Sequence, residues 1–252
     1  MKKHLPNALT CVNLLCGCIA LTFIFGGNLV VAAYFVGIAA VADFFDGLVA
    51  RALRVSSPIG KDLDSLADMV SFGVVPGAII YSLLYKAVGS CPGYGDFEVP
   101  SIGLFTPFLG FIVSIFSALR LAKFNNDTRQ TTSFIGLPTP ACTLVVASLP
   151  LILANDTFGL KNIILNPLVL IGLTVLLSGL LVAELPLFAL KFKNLQWRGN
   201  RRRFIFVGLA LGLVLWLKAA GVPLAVLLYV LLSIPGRVRS RDAAEAAPAK
   251  PQ

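Results

Sequence analysis

The sequence predicts an all-α membrane protein, a bundle of about eight helices that cross a lipid bilayer. The first reason is composition: 57% of the 252 residues are hydrophobic and only 13% are charged, whereas a soluble domain of this size carries about 25% charged residues. The second is the mean hydropathy of +0.87. The third is that the apolar residues form long runs, and a helix needs about 20 such residues to cross a bilayer.

The apolar runs follow one another along the chain, and each ends at a polar or helix-breaking segment. Gly26, Gly27 and Asn28 make the first turn, and Gly221 and Pro223 make the last. The predicted spans cover about residues 9–25, 29–50, 64–85, 102–124, 138–154, 167–190, 204–217 and, after the last turn, as far as 234. We therefore expect one integral-membrane domain over residues 1–239, followed by a disordered tail over 240–252 that is rich in Ala, Pro and charge.

The distribution of charge predicts the orientation. The formal net charge is +9, and with these spans nearly all Lys and Arg fall on one side, leaving only Lys86, Lys161 and Lys218 on the other. The positive-inside rule then places the protein in a bacterial-type cell (inner) membrane with both termini on the cytoplasmic side. Nucleic-acid binding is a poor alternative, because no basic soluble module is present.

Four aspartates lie where a chain this apolar is not expected to carry charge, which makes them candidates for a functional site. They close the second span and open the third: Asp43, Asp46, Asp64 and Asp68. The first two are three residues apart and the last two are four apart, so each pair shares one face of its helix. The break at Pro58 and Gly60 makes the two helices antiparallel neighbours, so we expect the four carboxylates to converge at the cytoplasmic side. Asp62 falls on the opposite face and is interpreted as a solvated or capping acid.

Such a group of carboxylates indicates a metal site, because like charges packed together disfavour ionisation unless cations are present. Oxygen ligands suit Mn²⁺ or Mg²⁺, and Ca²⁺ is also compatible. The stretch holds no Cys or His, which argues against zinc. Two such ions would form a clamp for phosphoryl transfer. The alternative is that the acids are solvated charges at helix ends near the water boundary. This alternative explains one pair of aspartates better than it explains two pairs.

The spacing of this stretch resembles the signature of CDP-alcohol phosphatidyltransferases. The sequence reads Asp43-x2-Asp46-Gly47-x2-Ala50-Arg51-x8-Gly60-x3-Asp64-x3-Asp68, which agrees at every fixed position. The resemblance implies a membrane enzyme that transfers a phosphatidyl group from a CDP-linked lipid to an alcohol and releases CMP. It also implies a homodimer and two divalent ions.

The resemblance also implies roles for individual residues. It implies that all four aspartates bind metal and that Asp68 is also the general base that takes a proton from the alcohol. Glycines at the signature positions would let the backbone approach the nucleotide, and the guanidinium of Arg51 suits a phosphate unless it is an interfacial anchor. The residues expected at the CDP-lipid are Asp46, Gly47, Ala50, Arg51, Gly60 and Asn13.

Further stretches resemble the members of this family that use serine, the CDP-diacylglycerol–serine O-phosphatidyltransferases. They are Pro6-Asn7 with Thr10-x2-Asn13, Met69–Pro76, Ala118–Asn125 and Phe134–Pro140. The resemblance covers most of the first 140 residues, and the last four spans agree only in hydropathy. It implies CDP-diacylglycerol and L-serine as substrates, with membrane lipids around the enzyme.

Serine is zwitterionic, so its carboxylate needs a cation and its ammonium needs acceptors. Arg120 would supply the cation and Asn125 a polar edge, and Ser71 lies three residues beyond Asp68 on the same helical face. The alternatives are that Arg120 anchors the helix at the interface and that Ser71 packs helices together.

Two competing functions remain open at this stage. The same chemistry with glycerol 3-phosphate as the acceptor would give phosphatidylglycerophosphate, and would call for more basic residues around the pocket. A divalent cation transporter would use the carboxylates as its ion site. It would need polar groups leading to the other side, yet spans 5 to 8 hold little beyond Glu184.

Overall fold

The computed structural model describes residues 4–55, 57–89, 105–126, 133–156, 158–188 and 197–233. The predicted tail over 240–252 lies outside the described residues. The same holds for nearly all of the loop predicted over 89–101 and for most of the polar segment predicted over 125–133. The domain boundary at residue 239 therefore stays a prediction.

Helices α1 (His4–Phe25) and α2 (Leu29–Leu53) form an antiparallel hairpin at the start of the chain. Gly27 makes the turn with a φ of +80°. The Asn28 side chain caps α2 by accepting a hydrogen bond from the backbone N–H of Val31 at 3.2 Å. The predicted first span began at residue 9, but α1 begins at His4, since a proline such as Pro6 is tolerated in a first helical turn.

Helix α3 (Pro58–Asp68), a π-helical turn (Met69–Val74) and helix α4 (Val75–Gly89) form one continuous unit. The unit begins at Ser57, whose Oγ accepts a hydrogen bond from the backbone N–H of Gly60 at 3.0 Å. It starts six residues before the predicted span, because this N-cap and Pro58 at the first helical position favour a helix there. α4 is the central helix of the bundle: Ala78, Ile79 and Leu83 are fully buried.

The π-helical turn is held by hydroxyl groups of neighbouring helices. The Phe72 carbonyl accepts a hydrogen bond from Thr143 Oγ1 at 3.0 Å, and the Gly73 carbonyl accepts one from Ser114 Oγ at 2.7 Å. A π-turn displaces backbone carbonyls from the regular α-helical pattern, so they need other donors when they are buried. These two hydroxyls supply them.

The described middle part of the chain adds four further helices. A 3₁₀ turn (Thr106–Phe111) leads into α5 (Ile112–Asn126), and α6 (Thr139–Asn155), the short α7 (Lys161–Ile164) and α8 (Pro167–Val182) follow. Helix α8 ends at Val182, before the predicted end at residue 190. Pro186 explains the early end, because the residue before a proline is pushed out of the helical conformation.

Helices account for the described secondary structure apart from one short pair of strands, β1 (Ser133–Ile135) and β2 (Pro186–Phe188). The strands are antiparallel, with Phe134 opposite Leu187. Next to them, the backbone N–H of Gly136 donates to the Leu185 carbonyl at 3.0 Å. The all-α class therefore describes the protein well, and the strand pair joins the entry of α6 to the exit of α8.

The last two helices, α9 (Trp197–Leu217) and α10 (Gly221–Ser233), fold back on each other through a 3₁₀ turn (Lys218–Ala220). The rings of Phe206 and Tyr229 lie 5.4 Å apart between centroids, which a continuous straight helix would not allow. The prediction placed residues 197–203 in a basic connector, but α9 begins at Trp197. Arginine is a good helix former, so the helix continues through Arg201 and Arg203.

Within the described residues, five helical units are long and apolar enough to cross a membrane: His4–Phe25, Leu29–Leu53, Pro58–Gly89, Thr106–Asn126 and Arg203–Ser233. Two shorter apolar helices accompany them, Thr139–Asn155 and Pro167–Val182. The large apolar side chains that remain exposed on these helices, such as Leu15, Leu176 and Trp216, would face lipid. The protein is therefore built as an integral membrane protein.

Candidate active site

The four aspartates come from two neighbouring helices that meet at one end of the bundle. Helix α2 carries Asp43 and Asp46 in its last three turns, and α3 carries the other two. Between the helices the chain reverses at Arg54, which has a left-handed φ of +52°, and restarts at the cap on Ser57. After the reversal both helices pack against α1, and side chains of α2 and α3 meet at the same end of the bundle.

Three of the four carboxylates converge. One oxygen from each of Asp43, Asp64 and Asp68 lies within 4.8 Å of the others, and all three side chains are half-buried. The Oδ1 atom of Asp64 is buried and has no hydrogen-bond partner among the residues that the structure describes. A buried carboxylate oxygen without a donor is costly. The cluster therefore fits a hard divalent cation, which prefers oxygen ligands and would satisfy this atom.

Asp46 was expected to join these three carboxylates, but its side chain lies beside the cluster. Its side chain is 6% exposed and accepts a hydrogen bond from Thr10 Oγ1 at 2.8 Å. Three helical residues turn the side chain by about 300°, so Asp46 is offset by about 60° from Asp43. This offset directs Asp46 toward α1 and toward an adjacent cleft, which Asp64 also lines.

The Asp68 side chain is held by α1. Asn13 Nδ2 donates a hydrogen bond to Asp68 Oδ1 at 3.2 Å, and the Asn13 side chain is fully buried. The Oδ1 atom of Asn13 has no hydrogen-bond partner within the described ranges. The sequence placed Asn13 at the CDP-lipid, whereas the structure places it on Asp68, where it fixes the carboxylate that was expected to act as the base.

An open cleft lies beside the carboxylate cluster, between the start of α1, the end of α2 and the start of α3. It encloses about 230 Å³, near the lower end of the roughly 300–1,000 Å³ typical of ligand pockets. Its lining is mostly small or polar, and consists of Pro6, Asn7, Thr10, Asp46, Gly47, Ala50, Val55, Ser57, Gly60, Lys61 and Asp64.

Four of the predicted CDP-lipid residues therefore line this cleft: Asp46, Gly47, Ala50 and Gly60. A Cβ atom at Gly60 would lie 3.0 Å from the Asn7 side-chain oxygen and 2.9 Å from Ser57 Oγ, so a larger residue would displace these two side chains. Arg51 is exposed and is not among the lining residues. Its Nε donates to the Gly47 carbonyl at 2.8 Å, so it supports the cleft wall through the backbone.

Of the three residues expected at the acceptor, Arg120 is the one with an electrostatic interaction with the predicted base, Asp68. It is 8% exposed. Its Nη1 is 3.4 Å from Thr139 Oγ1, and its guanidinium lies 5.3 Å from the centroid of the Phe124 ring. Its Nε has no hydrogen-bond partner in the described part of the chain. A buried guanidinium with an unused N–H group is suited to an anionic ligand.

The other two acceptor residues already have contacts within the protein. Ser71 is buried, and its Oγ donates to the backbone carbonyl of Asn13 at 3.0 Å, so it packs the π-helical turn against α1. Asn125 is exposed at the end of α5, where its Nδ2 donates to Ser65 Oγ at 2.9 Å. This bond ties α5 to α3 near the cleft.

Sequence reasoning assigned no direct role to four residues that build the site: Asn7, Thr10, Ser57 and Lys61. A signal for two of them was present. Asn7, Thr10 and Asn13 recur every three residues in an apolar helix, which places polar groups along one side of α1. Such a polar line in a membrane helix indicates that it faces a polar site.

Comparison with known proteins decides the family. A sequence profile described as CDP-alcohol phosphatidyltransferase matches residues 3–187 of this chain. The chain belongs to the CDP-alcohol phosphatidyltransferase family. The matched region contains the carboxylate cluster and the cleft, and it ends within β2, before the α9–α10 hairpin.

Relatives within this family carry closely related names. The chain is 33% identical over 169 residues to the CDP-diacylglycerol–serine O-phosphatidyltransferase of Bacillus subtilis (strain 168), covering 65% of this chain and 88% of the relative. It is 33% identical over 211 residues to the protein of the same name from Helicobacter pylori (strain J99), covering 83% and 80%. It is also 33% identical over 146 residues to archaetidylserine synthase from Methanothermobacter thermautotrophicus, covering 57% and 56%.

Proposed function

We propose that this protein is a CDP-diacylglycerol–serine O-phosphatidyltransferase, which transfers a phosphatidyl group from CDP-diacylglycerol to L-serine and releases CMP. The names of its relatives support this substrate pair. The single observation that carries the proposal is the convergence of Asp43, Asp64 and Asp68 beside a cleft walled by Gly47 and Gly60.

The carboxylate cluster would hold the divalent metal, Mn²⁺ or Mg²⁺, with Ca²⁺ also compatible. Asp43, Asp64 and Asp68 supply converging oxygens, and Asp46 at the cleft edge supplies a further ligand for a second ion. A divalent ion bound there would neutralise the diphosphate of the donor and stabilise the departing CMP.

The cleft would bind the CDP group of the donor. Small residues at positions 47, 50 and 60 let the nucleotide approach the backbone closely. Arg51 acts on this site by holding the Gly47 carbonyl, and Asn13 acts by holding Asp68. The acyl chains of the donor would remain in the lipid next to α2.

Asp68 would be the general base. One of its oxygens accepts the Asn13 hydrogen bond, and its carboxylate would take the proton from the serine hydroxyl. The serine oxygen then bonds to the phosphorus of the phosphatidyl group, and the bond from that phosphorus to the oxygen of CMP breaks. Arg120 would bind the serine carboxylate, which places the hydroxyl near Asp68.

The fold supports an orientation for this chemistry. The α9–α10 hairpin divides the last apolar unit in two, so the described helices provide eight membrane-crossing segments in our proposal. With eight crossings both termini are cytoplasmic, and the cleft opens at the cytoplasmic surface where a CDP-lipid presents its nucleotide. We also propose a homodimer.

An acceptor assay tests the proposed function. Purified protein is incubated with CDP-diacylglycerol and Mn²⁺, and with either L-serine or glycerol 3-phosphate, while CMP release and the lipid product are measured. We expect CMP and phosphatidylserine with serine only. Consumption of glycerol 3-phosphate instead of serine would overturn the acceptor. Cation flux into proteoliposomes without CMP release would overturn the enzyme and favour a transporter.

The role of Asp68 is tested by Asp68→Asn, which keeps the shape of the side chain and removes its basicity. We expect kcat to fall by at least about 100-fold, because a positioned general base contributes roughly 10²–10⁴-fold. Asp62→Asn is the matched control, since Asp62 lies on the same helix but is exposed and outside the cluster. Near wild-type turnover by Asp68→Asn would refute the proposed base.

A further inference from the structure

The cleft has a charged lining residue with no role in the scheme above. Three of the residues that line it carry charge, and two of these are the carboxylates Asp46 and Asp64. The third is Lys61, which lies three residues before Asp64 on α3 and therefore shares its face. Among the described residues that line the cleft, Lys61 is the one cation.

The ammonium group of Lys61 is available to a ligand. Within the described part of the chain, its polar contact is with the backbone carbonyl of Asn125, at 3.4 Å. This is a long hydrogen bond to a neutral acceptor, beyond the usual range of about 2.7–3.2 Å. An anion in the cleft would therefore replace a weak contact and leave no carboxylate partner unpaired.

The backbone of Lys61 is fixed more firmly than its side chain. Lys61 lies in the first turn of α3, one residue after Gly60, and its backbone N–H donates to the Ser57 carbonyl at 3.2 Å. The Ser65 hydroxyl donates to the Lys61 carbonyl at 3.1 Å, and the same hydroxyl accepts the bond from Asn125. The base of the side chain is thus held at the rim of the cleft, while the contact of its ammonium group is the long bond to Asn125.

Arg51 was the cation expected at the phosphates, and its position differs from that of Lys61. The Arg51 guanidinium is engaged with the Gly47 carbonyl, and the side chain lies outside the cleft lining. Lys61 lines the cleft together with Asp46, Gly47 and Gly60. From these contacts we propose that Lys61 binds a phosphate oxygen of the CDP group and determines the affinity for the nucleotide-linked donor.

This inference rests on the proposed function, because it assigns a residue to the same donor site. It adds a positive charge supplied by the protein itself to the charge that metal ions would supply. An ammonium is a compact point charge that suits a phosphate oxygen. Since serine binds at the other side of the cluster in our proposal, Lys61 should affect the donor and leave the acceptor unaffected.

The test compares Lys61→Met with Lys61→Arg. Initial rates are measured while CDP-diacylglycerol is varied at saturating serine, and then while serine is varied at saturating donor. We expect Lys61→Met to raise the KM for CDP-diacylglycerol about 10-fold and to leave the KM for serine unchanged, because charge-assisted hydrogen bonds are of this strength. Lys61→Arg should recover most of the affinity, since it keeps the charge.

Lys123→Met is the matched control, because Lys123 is an exposed lysine in the last turn of α5 and lies outside the cleft lining. It should leave both KM values unchanged. Calorimetric titration of the purified proteins with CDP gives a readout that does not depend on turnover, and should show the same weakening for Lys61→Met. Thermal melting and gel filtration identify any variant that has failed to fold.

Each outcome separates the two proposals. If the wild-type protein releases CMP and Lys61→Met keeps its KM for the donor and its affinity for CDP, the inference about Lys61 is wrong while the proposed function stands. An equal rise in both KM values would assign Lys61 a general structural role and would overturn the inference. If the wild-type protein releases no CMP from CDP-diacylglycerol, both proposals fail.

Discussion

Small polar residues on α1 hold two of the carboxylates in place. Thr10 donates to Asp46 and Asn13 donates to Asp68. Both are buried, at 4% and 0% exposure. Removing the hydrogen-bond donor of a buried carboxylate oxygen would cost about 1–3 kcal/mol of free energy. In a site that binds a ligand, much of this free energy would be lost from the binding affinity.

Thr10→Val tests the first of these contacts. Valine keeps the shape of threonine and removes the hydroxyl, so Asp46 loses its donor. We expect the KM for CDP-diacylglycerol to rise by roughly 10-fold, measured at saturating serine and Mn²⁺, because about 1.4 kcal/mol corresponds to tenfold. Thr22→Val is the control, since Thr22 is exposed on the same helix and bonds only to its own helix at Ile19. Equal kinetics for the two variants would contradict the role of Thr10.

At this scale the sequence predicted the identity of the site residues better than their contacts. The spacing of Asp43, Asp64 and Asp68 predicted that they would meet, and they do. The position of Asp46 depends on where α1 packs, which no local pattern specifies. The hydrogen bond from Arg51 to the Gly47 carbonyl is local. The sequence does not predict it, because a guanidinium has many possible partners of similar energy.

At the scale of elements, the π-helical turn determines how α3 is rotated relative to α4. It follows directly after Asp68, and its carbonyls are satisfied by hydroxyls on α5 and α6. Because a π-turn holds an extra residue, it rotates α3 relative to a regular continuation of α4. We therefore expect the two hydroxyls to influence, from a distance, how the α3 carboxylates are oriented in the cluster.

Thr143→Val should weaken the site through this turn. The buried Phe72 carbonyl would lose its donor, and we expect the affinity for Mn²⁺ to fall about 5-fold, measured by electron paramagnetic resonance on the purified protein. Thr174→Val is the matched control: Thr174 is equally buried, but its hydroxyl bonds to its own helix at Leu170. A fall of the same size in both variants would indicate general loosening instead.

The order of the elements was predictable, and their detailed ends were not. Apolar runs predicted each of the main helices, since hydropathy reports which segments can lie in lipid. The π-turn and the strand pair came from tertiary contacts: the turn depends on Ser114 and Thr143, and the strands bring together residues about 53 positions apart, as Phe134 and Leu187 do. Neither leaves a periodic pattern in the sequence.

At the scale of the whole molecule, the account requires one orientation in the membrane. Residues around 158 should face away from the cytoplasm, and residue 126 should face it, because the predicted spans place most Lys and Arg in loops on the same side as the aspartates. Both positions are exposed in the structure, so they can be labelled without disturbing the core.

Cysteine labelling in intact cells tests this orientation. The five native cysteines are replaced by serine, and Phe158→Cys or Asn126→Cys is then introduced. We expect a membrane-impermeant maleimide to label Phe158→Cys in intact cells and Asn126→Cys only after the cells are opened. The reverse pattern would place the cleft on the wrong side of the membrane for a cytoplasmic CDP-lipid. Labelling of both positions in intact cells would contradict the proposed number of crossings.

The central claim is that Asp43, Asp64 and Asp68 hold a divalent ion beside the donor cleft, and anomalous X-ray diffraction from crystals grown with Mn²⁺ tests it most directly. We predict an anomalous peak at about 2.0–2.6 Å from an oxygen of each of the three carboxylates, and its loss in Asp64→Asn. A map with no peak among these side chains, in a crystal of active protein that contains Mn²⁺, would contradict the account.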